Sequence, residues 1–361
     1  MPNEIPLIGV AEQITLEWVD AVLAAAGVSP AGELEAIERA PVGSGYVGAI
    51  VRLSLTWRGD TSGPRSVIVK LASPDPTSRQ AGLMTGTYAR EVAFYRQLAS
   101  ACDLPIPACY GVAFDPASGD CVLVLEDLVP SRAGDQISGC DADEAAAALE
   151  SLAGLHAPHQ GRTELASQAG LAVRGRDSAA GLGAIYDALL ARFSERYRER
   201  LAAPVLDAAA RLQGRVGAWL AHDHEPHTLI HGDFRVENLL IGRPGARFRV
   251  AAVDWQTVGI APAMADVTYF LGASLPTELR RKHEVDLLAV YRDAMAARGV
   301  ALDRDDVWWQ YRAQAFAGLH MAVVASQLVR QTEHGDEMFC VMAERHAAHA
   351  LDVDAFDLLD E

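Results

Sequence analysis

The stretch LIHGDFRVENLLIG, residues 229–242, decides how the chain is read. Its apolar ends, Leu229–Ile230 and Leu239–Leu240, have the look of buried strands, yet they enclose His231, Asp233, Arg235 and Asn238. Buried polar groups need partners, so this density of polar chemistry calls for an explanation. Asp233 and Asn238 are five positions apart, and a further carboxylate, Asp254, follows a hairpin-like run, NLLIGRPGARFRVAAVDW, turned at Pro244–Gly245. A carboxylate in a protected loop can accept the proton of a substrate hydroxyl. An asparagine and a second carboxylate are hard oxygen ligands suited to Mg²⁺, which clamps nucleotide phosphates. Arg235, two after the presumed base, can neutralise charge on a transferring phosphoryl group. The competing reading is a capped turn in which His231 and Asp233 bond only to backbone.

Working toward the N-terminus, the pattern is β-rich from about residue 34 to 73. AIVRLSLTW (49–57) alternates apolar and polar, and SVIVKLA (66–72) is a second strand-like run. Ahead of them, VGSGYVG (42–48) holds a GxGxxG pattern at Gly43, Gly45 and Gly48, with Ser44 between the first two. A dinucleotide fold requires a helix directly after those glycines. Here a strand follows, describing a hairpin lid whose backbone can approach phosphates because no Cβ obstructs it. Lys70 carries an ammonium at the end of VIVK. Glu91 is the one acid in TYAREVAFYRQLAS, whose Tyr88, Val92 and Tyr95 have helical spacing. Taken singly, Lys70 reads as a solvated strand end and Glu91 as a surface glutamate. Together they can form the ion pair that holds a lysine against phosphate.

TLEWVDAVLAAAG predicts a short first helix capped by Thr15 and closed by Gly27. PIPACYGVAFD and CVLVLEDL predict two more strands. Beyond residue 130 the chain reads as mainly helical, with segments at 142–157, about 178–201 and about 204–222, and three or more helices after the hairpin. The expected plan is a β-rich first third with one helix and a helical remainder.

Composition narrows the function classes. The 361 residues include 31 basic and 48 acidic side chains, a net charge of −17, without the basic footprint that nucleic acid requires. Five cysteines at 102, 109, 121, 140 and 340 lack CxxC spacing, which predicts reduced thiols and a cytoplasmic setting. The first residues lack a signal-peptide pattern, and the longest apolar run, 21–28, is too short to span a membrane. HDHEPHTLIH gathers His222, His224, His227 and His231, but the HExxH spacing is missing and Pro226 breaks any helix that would align them. GxxxxGK[ST] and GxSxG are absent, which removes P-loop NTPases and serine hydrolases.

HGDFRVEN followed by VDWQ resembles the catalytic and metal-binding loops of the aminoglycoside phosphotransferase-like family, and within it the ecdysteroid-kinase-like and choline-kinase-like branches. The pieces appear in the family's order over about residues 40–275: glycine loop, Lys70, Glu91, LVLEDL, LAGLHA, HGDFRVEN, VDWQ and ADVTYFL. The resemblance implies that the main chain of Glu126 and Leu128 meets the adenine edge. It also implies that Asp266 braces the catalytic loop and that His156 of LAGLHA is a packed core histidine. Trp255 and Gln256 stand where protein kinases carry the Phe and Gly of DFG.

The resulting expectation is an α+β, bilobal, protein-kinase-like fold. Residues 1–125 form a small N-lobe with an antiparallel sheet, residues 126–361 form a larger helical C-lobe, and nucleotide lies between them. The implied activity is ATP-dependent transfer of the γ-phosphoryl group (GTP being the alternative donor) to a hydroxyl of a small-molecule acceptor, without nucleic-acid or membrane partners. Asp233 acts on the hydroxyl with Arg235 beside it, and Asn238 and Asp254 hold Mg²⁺. Lys70, fixed by Glu91, grips the phosphates. The alternative is a catalytically idle nucleotide-binding scaffold on the same fold, which would have lost one of Lys70, Asp233, Asn238 or Asp254. The acceptor itself is not legible: the negative charge favours a cation, whereas Trp308–Trp309 and the Ala/Leu-rich helices suit an apolar molecule.

Overall fold

The computed structural model describes residues 2–30, 32–42, 48–59, 62–173, 175–221 and 225–359. The chain divides into two compact units. The first comprises residues 1–101, 106–129 and 254–257, and the second comprises 102–105, 130–253 and 258–361.

The first unit is built on a six-stranded sheet in the order β1-β5-β6-β4-β3-β2. Its strands are β1 (Asn3–Glu4), β2 (Glu33–Pro41), β3 (Gly48–Arg58), β4 (Ser66–Ala72), β5 (Cys109–Phe114) and β6 (Cys121–Glu126). All neighbours are antiparallel except β1 on β5. The alternation of β3 is the physical signal that made it legible. Val51, Leu53, Leu55 and Trp57 are buried, and they share a core with Trp18, Val22 and Leu23 of α1 (Leu16–Ala25). Thr15 caps α1 by accepting the Trp18 N–H at 3.1 Å. In β4, Val67, Val69 and Leu71 enter the same core, so the period of two sends Lys70 to the opposite face.

Besides the two helices read from TLEWVDAVLAAAG and TYAREVAFYRQLAS, the described residues of this unit form a third. The additional α2 (Pro76–Met84) opens on Asp75, whose carboxylate accepts the Ser78 N–H. It buries only Gly82, so no apolar stripe announces it. The segment carrying Glu91 is α3 (Thr87–Ala93), which continues into a wider turn over Phe94–Leu98.

The second unit is mainly helical. Two small sheets interrupt it: β10-β9-β7, and β11-β8. They use β7 (Ser131–Ala133), β8 (His227–Ile230), β9 (Leu239–Gly242), β10 (Val250–Ala252) and β11 (Gly259–Pro262). The expected hairpin is β9–β10, with Leu239 opposite Ala252. The helices are α4 (Ala142–His156), α5 (Leu165–Ala169), α6 (Arg176–Tyr197), α7 (Ala203–Arg211), α8 (Val216–Ala221), α9 (Met264–Ser274), α10 (Thr277–Ala296), α11 (Arg304–Ala313), α12 (Ala317–Leu328) and α13 (Glu333–Asp352). The single helix expected over 204–222 is therefore broken into α7 and α8, near Gly214 with φ of +72°. Among the described residues, no helix is long and apolar enough to cross a membrane.

Candidate active site

In the first unit the chemistry gathers on Lys70. Its Nζ lies 2.8 Å from Glu91 Oε1 and 3.0 Å from Asp254 Oδ1. Burial pulls the ammonium's pKa down, but the charges of Asp254 and Glu91 outweigh it and raise the pKa, so Lys70 stays charged. Lys70 and Glu91 are both almost fully buried, whereas the Asp254 side chain is 40% exposed.

Asp254 follows β10 in sequence, yet residues 254–257 pack with the first unit. The cause is local. Trp255, fully buried, stacks on Phe94 at 3.8 Å and 8°, its N–H goes to Glu91 Oε1 at 3.3 Å, and Arg90 Nε holds the Gln256 carbonyl at 3.0 Å. The indole standing where protein kinases have phenylalanine is thus a core anchor for the loop that carries Asp254. Asp254 itself has φ of +67°, a left-handed conformation that short polar side chains tolerate best and that concentrates at functional sites.

Gly48 starts β3, where an added Cβ would lie 2.8 Å from the Leu71 carbonyl oxygen. Gly43, Ser44 and Gly45 lie outside the described residues. At the end of β6, the Glu126 N–H donates to the Ala108 carbonyl at 2.8 Å and Leu128 is buried. Sequence reasoning missed the clamp between them. Arg52 grips Asp127 through two bonds of 2.7 and 3.1 Å, and Ser66 Oγ adds a third at 2.7 Å. The planar guanidinium fork favours this bidentate geometry.

In the second unit the HGDFRVEN loop is carried by α9. Asp266 accepts the His231 N–H at 2.6 Å and the Gly232 N–H at 2.8 Å. Tyr269 O–H donates to Asp233 Oδ1 at 2.9 Å, Phe270 packs on Phe234 at 5.4 Å, and Ser274 Oγ accepts the Val236 N–H at 3.0 Å. Positions 266, 269, 270 and 274 share one helical face, so one rigid element fixes the whole loop. His156 is the expected core histidine, fully buried, with Nδ1 2.8 Å from Tyr291 Oη and Nε2 3.4 Å from Asp266 Oδ2.

Asn238 Nδ2 donates to the Asp233 carbonyl at 2.9 Å and to Oδ2 at 2.8 Å. Both partners are acceptor oxygens, so the amide turns its NH₂ toward them and presents its Oδ1 elsewhere. The Nε–H of Arg235 is shared between the two Asp233 oxygens at 3.2 and 3.3 Å, and its Nη1 pairs with Glu237. The guanidinium is thereby committed to two carboxylates. His231 accepts the Asp233 N–H on Nδ1 at 3.3 Å and reaches the Val253 carbonyl through Nε2 at 3.0 Å. Among the described residues no cluster of His, Cys, Asp or Glu able to hold a metal occurs, and His222 and His224 of the histidine-rich stretch lie outside them.

A cavity of about 260 Å³ opens next to the HGDFRVEN loop, lined by Gly232 and Tyr269 and by Leu182, Trp219, Pro262 and Met321 among others. Among the described residues, none of its lining is acidic. The Tyr269 ring stacks on His346 at 5.5 Å. That imidazole is wedged between two glycines: an added Cβ would lie 1.9 Å from its Nε2 at Gly318 and 2.5 Å from its Nδ1 at Gly272. Burial pushes the His346 pKa down to about 3, so the ring behind Tyr269 is neutral.

Residues 42–302 match the model of the ecdysteroid kinase-like family. The chain belongs to that family. This ecdysteroid kinase-like protein has no match among curated proteins. Its fold is similar to choline kinase from Cryptosporidium parvum (10% identity, 95% of this chain and 96% of that chain covered, TM-score 0.56). It is also similar to an ethanolamine kinase from Plasmodium vivax (10% identity, 93% and 84% covered, TM-score 0.53). A third relative in fold is the GDP complex of aminoglycoside 2'-phosphotransferase-IIIa (16% identity, 93% and 99% covered, TM-score 0.50). The α+β, protein-kinase-like fold expected from HGDFRVEN and VDWQ is the one this family member has.

Proposed function

We propose that the protein transfers the γ-phosphoryl group of ATP to a hydroxyl of a small, largely apolar acceptor held in the second unit's cavity. The observation that carries this reading is the placement of Asp233. Its carboxylate is tethered by Tyr269, Asn238 and Arg235, and Tyr269 also forms a wall of the cavity. In the reaction the acceptor oxygen bonds to the γ-phosphorus, the bond from that phosphorus to the bridging oxygen breaks, ADP departs and the hydroxyl proton passes to Asp233. Arg235 orients Asp233, a role suited to a guanidinium already spanning two carboxylates.

Lys70, kept charged by Glu91 and Asp254, takes the nucleotide phosphates. The donor set fits magnesium: Asn238 offers an amide oxygen and Asp254 an accessible carboxylate. Magnesium would supply neutralisation of phosphate charge. The loop of Gly43, Ser44, Gly45 and Gly48 is assigned to the phosphates, and the main chain of Glu126 and Leu128 to the adenine.

The acceptor class follows from the lining. A polycationic amino sugar needs acidic partners, which the described lining residues do not supply, whereas Leu182, Pro262 and Met321 reward apolar surface. A screen of ATP and GTP consumption across amino sugars, choline and alicyclic alcohols tests this, beside a thermal shift with Mg-ATP. A ligand that binds only the folded chain raises its melting temperature by mass action. No shift at millimolar Mg-ATP overturns the kinase reading. Turnover with amino sugars alone overturns the acceptor class.

A further inference from the structure

Asp233 has no lone pair left for a substrate. Oδ1 accepts from Tyr269 and Oδ2 from Asn238, and the shared Nε–H of Arg235 reaches both. Those four contacts fill the roughly four lone-pair sites of a carboxylate. A group that is to receive an alcohol's proton needs one of them, so one donor must give way. Asn238 is held by its second bond to the Asp233 carbonyl. Arg235 is held by Glu237, by Met338 Sδ at 3.6 Å and by burial, its side chain being 13% exposed. Tyr269 is the donor that borders the cavity.

On the kinase reading above, we propose that Tyr269 is a positioning residue that caps the base: its hydroxyl occupies Asp233 Oδ1 until an alcohol filling the cavity displaces it. Water reaching the same point brings no apolar surface to bury, so it lacks the binding energy that an acceptor spends on the exchange. The cap thereby suppresses transfer of the γ-phosphoryl group to water, in which a water oxygen would bond to phosphorus, ADP and phosphate would leave and the proton would pass to Asp233. The His346 wedge between Gly272 and Gly318 holds the ring under the phenol in register with Oδ1.

Tyr269→Phe keeps the ring and its stack and removes the cap. The assay is phosphate release by the full chain from Mg-ATP without added acceptor, so that water is the probe. Hydrolysis should rise about 3–10-fold, the size of one hydrogen bond's net contribution, while KM for Mg-ATP stays within about twofold. A merely structural role predicts a loss instead. Unchanged or slower hydrolysis, with Mg-ATP binding intact by calorimetry, overturns the proposal. A wild-type chain that fails to bind Mg-ATP overturns the kinase reading itself, and the cap with it. Should Tyr269→Phe not fold, the wild-type chain grown with 3-fluorotyrosine, a stronger donor, must hydrolyse ATP more slowly than the unlabelled chain. An equal or faster rate overturns the cap.

Discussion

Replacing Asp266 by asparagine should cost the second unit about 3–5 kcal/mol while barely changing its shape. The buried carboxylate takes two backbone N–H groups at 2.6 and 2.8 Å, one on each oxygen. Hydrogen bonds to a charged group contribute roughly 1.5–3 kcal/mol each. Asparagine keeps one acceptor and turns an NH₂ against the other N–H, so one bond is lost and a buried donor is left unsatisfied at a further 1–3 kcal/mol or so. The pH dependence adds a second signature. Burial pushes the Asp266 carboxyl up, but the hydrogen bond and charge of His156, with His231 and the Gly232 N–H, outweigh it and leave the native pKa below the ordinary value. A carboxyl lowered on folding contributes stability that is complete above its unfolded pKa of about 4 and is lost as pH falls through the native value. Wild type and Asp266→Asn should therefore differ most from about pH 5 upward and converge below about pH 4. Urea melts followed by tryptophan fluorescence across this range measure both effects. A penalty under about 1 kcal/mol, or a gap that does not narrow in acid, would refute the claim that α9 holds the loop through this carboxylate.

The two aspartates assigned to different tasks should separate. Asp254→Asn removes a charge from the proposed metal site and should weaken Mg-ATP binding in calorimetry. Asp233→Asn should leave that affinity nearly intact while phosphoryl transfer falls roughly 10²–10⁴-fold, and equal loss of nucleotide affinity in both would show Asp233 to be a metal ligand. Lys70→Ala should abolish most nucleotide use and also lower stability, because it strands the buried Glu91 carboxylate, and Glu91→Gln should give a milder rise in KM for Mg-ATP, since Asp254 still pairs with Lys70. Unchanged kinetics in Glu91→Gln would return that residue to a purely packing role.

What could be read in the sequence was what repeats locally. The alternation of Val51, Leu53, Leu55 and Trp57 gave away the sheet, and the apolar runs around Pro244–Gly245 gave away the β9–β10 hairpin. The polar residues of HGDFRVEN stood out because their neighbours are apolar. What escaped was non-local or unpatterned. β8 and β11 pair Ile230 with Gly259 across an intervening loop and hairpin, and no local period encodes that contact. Helix α2 has no buried stripe to betray it. Tyr269 and Ser274 sit in a helix so apolar that the loop-binding face looks like ordinary core. The cavity needs α6, α8, α9 and α12 together before it exists. Trp255 reads as a substitution in a loop, and only its stack on Phe94 shows why an indole stands there.

On the proposed function, two turns of α9 carry both the choice of acceptor and the ability to act on it. Ala265 lines the cavity, Asp266 holds the loop, and Tyr269 belongs to both. A lineage that widens its diet through this helix therefore risks its turnover with each trial. Variation that spares the chemistry must instead accumulate on the far walls, at Leu182 of α6 or Met321 of α12. A library meant to retarget the enzyme should be diversified there, with 265–269 left untouched.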